Sequence, residues 1–108
     1  MKYFELEVIM TMYSEKQDFH VQNIDNCGKK DARIGIVVFT QNKEVLSNNS
    51  FLLIDKRYTL EPSKSYNFVI KLTVDEKNIQ HIKLQNEIII QIGINNFANA
   101  IIKNIKEI

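Results

Sequence analysis

Cys27, His20 and His81 are the only thiol and imidazole groups in the chain, so nucleophilic and soft-metal chemistry would have to run through them. A Cys–His dyad needs a thiolate beside an imidazole. Lys29 and Lys30 stand next to Cys27 and would favour a thiolate, but no nucleophile motif surrounds it, and an isolated loop cysteine is ordinarily just that. Structural zinc needs four ligands, commonly in close pairs, and no CxxC or HxxxH pair exists. Asp18, Asp25, Asn26 and Asp31 gather oxygen donors of the kind calcium takes, yet the alternating acidic spacing with a closing Glu is missing, and turn capping accounts for them. With only Gly28, Gly35 and Gly93 there is no phosphate-cradling loop and no Gly-x-Ser-x-Gly elbow. Glu5 and Glu7 share the outer face of one strand pattern, the usual place for solubilising charge. No catalytic residue, metal or cofactor is expected.

Binding chemistry offers more. Lys29, Lys30, Arg33, Lys56 and Arg57, with Lys43 and Lys64, could gather at one end of the fold near Tyr58 and Tyr66 and take single-stranded nucleic acid by charge and stacking. Against this, 14 basic and 13 acidic residues leave a net charge of +1, with acids interleaved throughout. The more informative residues are apolar ones that alternation places opposite the inward sets: Ile9, Val37, Phe39, Val69 and Ile89. Brought together on one face they make a partner-binding patch. Covered by the segment at 75–84 or by the C-terminal segment, they are ordinary packing. Free edges of the terminal strands, Lys2–Met12 and Ala100–Ile108, are a second route to partners or to self-association by strand addition.

The elements that must position these residues are mostly strands. Ile occurs 17 times and Val seven, against three Ala, a composition suited to pleated surfaces rather than helical bundles. From Lys2 to Met12, Phe4, Leu6, Val8, Met10 and Met12 alternate with Tyr3, Glu5, Glu7, Ile9 and Thr11. Phe19–Val21 is a short strand. Arg33–Thr40 is apolar on both faces, which suits a central strand. Glu44–Leu46, Phe51–Ile54 and Arg57–Leu60 are further short strands, with Asn48-Asn49-Ser50 read as a turn; it is a glycosylation sequon only in a secreted chain. Glu61-Pro62-Ser63-Lys64 breaks the chain before the alternating Ser65–Thr73. The segment 75–84 is expected to hold one or two helical turns crossing between sheets. Glu87–Asn95 returns to strand, Asn95–Asn99 reads as a hairpin loop, and the segment after it is a strand with a helix as the alternative.

The run His20-Val21-Gln22-Asn23, then Ile34 to Phe39, then Leu60-Glu61-Pro62-Ser63-Lys64-Ser65-Tyr66-Asn67-Phe68 resembles the middle of immunoglobulin-like and fibronectin-type modules over about half the chain. The Cys…Trp…Cys core of antibody domains is absent, since there is no Trp. The expected fold is therefore a single all-β domain over 1–108, an immunoglobulin-like antiparallel β-sandwich of seven to nine short strands with a helical crossover near 75–84. The expected function is non-enzymatic protein–protein interaction, as an adaptor, assembly subunit or inhibitor from a virus or mobile element. A self-associating virion or surface-structure component and a nucleic-acid-binding barrel are the alternatives. Met1 without a following apolar block leads to the expectation of a cytoplasmic chain, with no membrane segment.

Overall fold

The computed structural model describes residues 1–13, 19–21, 33–54, 58–93 and 96–108. In chain order these form β1 (Lys2–Met12), β2 (Phe19–Val21), β3 (Arg33–Phe39), β4 (Val45–Leu53), β5 (Tyr58–Leu60), β6 (Ser65–Val74), a 3-10 helix (Glu76–His81), β7 (Glu87–Ile92) and β8 (Asn96–Glu107). The long strands close into one antiparallel barrel in the order β1-β6-β4-β3-β7-β8, and β8 returns to β1. β2 and β5 pair separately as a two-stranded ribbon.

Alternation builds the staves. Phe4, Leu6, Val8, Met10 and Met12 of β1, Phe68, Ile70, Leu72 and Val74 of β6, and Ile88, Ile90 and Ile92 of β7 all point into one core. A six-stranded barrel is narrow, and side chains fill it. Ala98 and Ala100 of β8 supply the small residues that this requires. Ala98 stands between Ile90 and Met12, and Ala100 between Ile88 and Met10. Each fully buried Leu, Ile or Met contributes about 1.5–3 kcal/mol by leaving water. The two ends are closed differently. Leu60 of β5 joins the core cluster at one end, where the Ser63 N–H donates to the Met12 carbonyl at 3.1 Å. Ile79 and Ile82, from the 3-10 helix and the residue after it, pack against the core at the other.

The all-β class holds, but the sandwich gives way to a closed barrel. Alternation reports only which face is buried, and it is the same in an open sheet and a closed one. Closure comes from shear and local irregularity: the register shifts between Glu7 and Val8 against β8, and twice between Ile36 and Phe39 against β4. Asn48-Asn49-Ser50 is not a turn but the irregular middle of β4. Ser50 turns inward, 2% exposed, and its hydroxyl donates to the Ile36 carbonyl at 2.7 Å. The segment at 75–84 links two strands of one barrel rather than two sheets. Residues 96–107 are strand, with Asn96–Asn99 inside it rather than in a hairpin loop. The terminal strands are not free edges: β1 pairs with β6 over Lys2–Thr11 and with β8 over Phe4–Met12, and β8 also pairs with β7 over Asn96–Ile101.

Candidate interaction surface

Each outward apolar residue has a place on the barrel wall. Ile9 lies on β1 between Asn67 and Ile101, and Val69 lies on β6 between Glu7 and Leu53. These two are diagonal neighbours on adjacent strands, each with one apolar cross-strand neighbour, Ile101 for Ile9 and Leu53 for Val69. Val37, Phe39 and Ile89 come together on β3 and β7: Phe39 faces Ile89 on one side and Val45 of β4 on the other, and Val37 faces Gln91. Ile89 is only 7% exposed. It stands between Phe39 and Asn99, and the Gln41 side-chain amide reaches across β7 to donate to the Asn99 side-chain Oδ1 at 2.9 Å. Neither the 75–84 segment nor a C-terminal cover lies over this wall, since the first closes a barrel end and the second is a stave.

What remains open on the β4–β3–β7 wall is a short apolar band. Val45 is 51% exposed, and Val37, Phe39, Phe51 and Leu53 are half-buried. Two shallow concavities interrupt the wall on either side of Phe51. One, of about 330 Å³, is lined by Gly35, Val37, Asn48, Phe51, Gln91 and Gly93 among others. The second, of about 260 Å³, is lined by Tyr3, Arg33, Asn49, Phe51, Lys71 and Ile108 among others. Gly35 lies directly opposite Phe51, and a Cβ built on it would meet nothing within 4 Å. The Arg33 guanidinium lies over the Phe51 ring, 5.4 Å from its centroid, within cation–π range. Asn49 is tied down by donating from its side-chain amide to the Thr73 hydroxyl at 3.3 Å.

The remaining candidates distribute as follows. Lys29, Lys30, Lys56 and Arg57 lie outside the described residues, as do Cys27, Asp18, Asp25, Asn26 and Asp31; of the proposed nucleic-acid contacts Arg33, Lys43 and Lys64 are placed, and Lys64 pairs with Glu61. The His20 backbone is in β2, and its side chain is outside the description. His81 ends the 3-10 helix, and its carbonyl accepts from the Asn86 side-chain amide at 2.6 Å. Among the described residues no three His, Cys, Asp or Glu groups converge as metal ligands, and no helix is long and apolar enough to cross a membrane. Buried polar side chains serve the fold: Thr40 accepts from the Glu44 N–H, Ser47 donates to the Asn49 carbonyl, and Ser50 donates to Ile36.

Sequence reasoning does not single out Val45, Phe51 or Leu53. Phe51 belongs to the unbroken apolar run Phe51–Ile54, in which no alternation tells outside from inside. The available signal was Gly35, a glycine in the middle of a strand pattern, which marks a gap in the side-chain surface. Comparison with known protein families, with curated proteins and with solved structures finds no match to this chain.

Proposed function

We propose that this barrel is a non-enzymatic binding domain that recognises another protein with the outer face of its β4–β3–β7 wall. The observation that supports this is the contrast between walls. Around β1 the exterior mixes Glu5, Glu7, Thr11, Ser65 and Lys71 with Tyr3, Ile9 and Val69, while around β3 Val37, Phe39, Val45, Phe51 and Leu53 outnumber Arg33, next to one concavity and at the edge of a second that Tyr3 of β1 also lines. Exposed apolar surface of this kind is retained where a partner covers it. The barrel interior is filled by side chains, so recognition belongs on the outside.

Capture from lysate of the native host, repeated with Val45→Asp and Phe39→Asp, tests this reading. Val45 is half exposed and Phe39 is outside the core cluster, so both variants keep the fold. A stoichiometric partner retained through high salt, and weakened about tenfold or more by either substitution, is the expected result. A partner held equally by wild type and both variants, or none at all, would sink the reading. Light-scattering mass on the same sample separates it from self-association, which raises the mass with concentration.

A further inference from the structure

We draw no further inference here: the strongest candidate, the pair of shallow hollows on either side of Phe51 on the β4–β3–β7 wall, belongs to the surface already described, and nothing in the structure shows what covers it.

Discussion

β1 and β3 occupy opposite sides of the same barrel and are built to different rules. β1 is paired along almost its whole length on both flanks, with one register shift. Its exterior is more polar, with Glu5, Glu7 and Thr11 beside Tyr3 and Ile9, and is tied by side chains: the Thr11 and Ser65 hydroxyls share a hydrogen bond at 2.8 Å, and Lys71 pairs with Glu5. β3 meets β7 only over Ile36–Phe39 and meets β4 through two register shifts. Its exterior holds a glycine, two apolar residues and an arginine stacked on a neighbour's ring. Regular ladders with polar exteriors fix register and keep water on the outside. Irregular ladders shape a surface, and bulges gather where a sheet must re-aim side chains. One wall holds the fold, and the other is free to vary in form.

The contrast can be broken most forcefully from the β1 side. Leu6 is fully buried, and Leu6→Ala is expected to cost about 2–5 kcal/mol through lost burial and the cavity left behind, read as a lower urea midpoint at unchanged slope. A smaller loss would mean that β1 is not the spine. Next comes the stitch beneath the irregular wall. Ser50→Ala removes the donor to Ile36 from a buried site and is expected to cost about 1–2 kcal/mol in the same titration.

The glycines sharpen the comparison further because they should differ in sign. Gly93 has φ +69°, a left-handed conformation, so Gly93→Ala is expected to destabilise by about 1 kcal/mol. Gly35 has open space and ordinary strand geometry, so Gly35→Ala is expected to stabilise by about 0.5 kcal/mol. A loss at Gly35 as large as that at Gly93 would show that its hollow is needed for folding and is not a vacant seat. Smallest of all, Lys71→Ala should change stability by less than about 0.5 kcal/mol, because its pairing with Glu5 is long and partly exposed.

The parts of the molecule that read easily from sequence are those with unbroken alternation. β1, β6 and the Ile88, Ile90, Ile92 face of β7 follow directly from period two. Ile101, Ile102, Ile105 and Ile108 fit a helix by spacing as well as a strand, and pairing with both β1 and β7 decides for strand. Asn48-Asn49-Ser50 misleads because polar residues in a row signal a turn. Their hydrogen bonds go instead to Ile36 and Thr73, partners remote in sequence, and hold an irregular strand. Phe39 and Val37 were visible as outward residues; the neighbours that make a surface of them, Val45 and Phe51, depend on a shifted register that local pattern does not encode. Closure itself is a property of how staves meet, and no single stave contains it.

The meeting of β1 and β8 has a mechanical consequence. Lys2 and Glu107 form an ion pair at 3.4 Å, and the Ile108 N–H donates to the Tyr3 carbonyl at 2.9 Å, so the two ends of the barrel leave from one corner. A load applied between these ends peels β8 from β1 one pair at a time, in zipper geometry, rather than shearing the whole ladder at once. The same corner would let the barrel hang from two neighbouring attachment points in another chain, with the hollow beside Phe51 opening next to the tether.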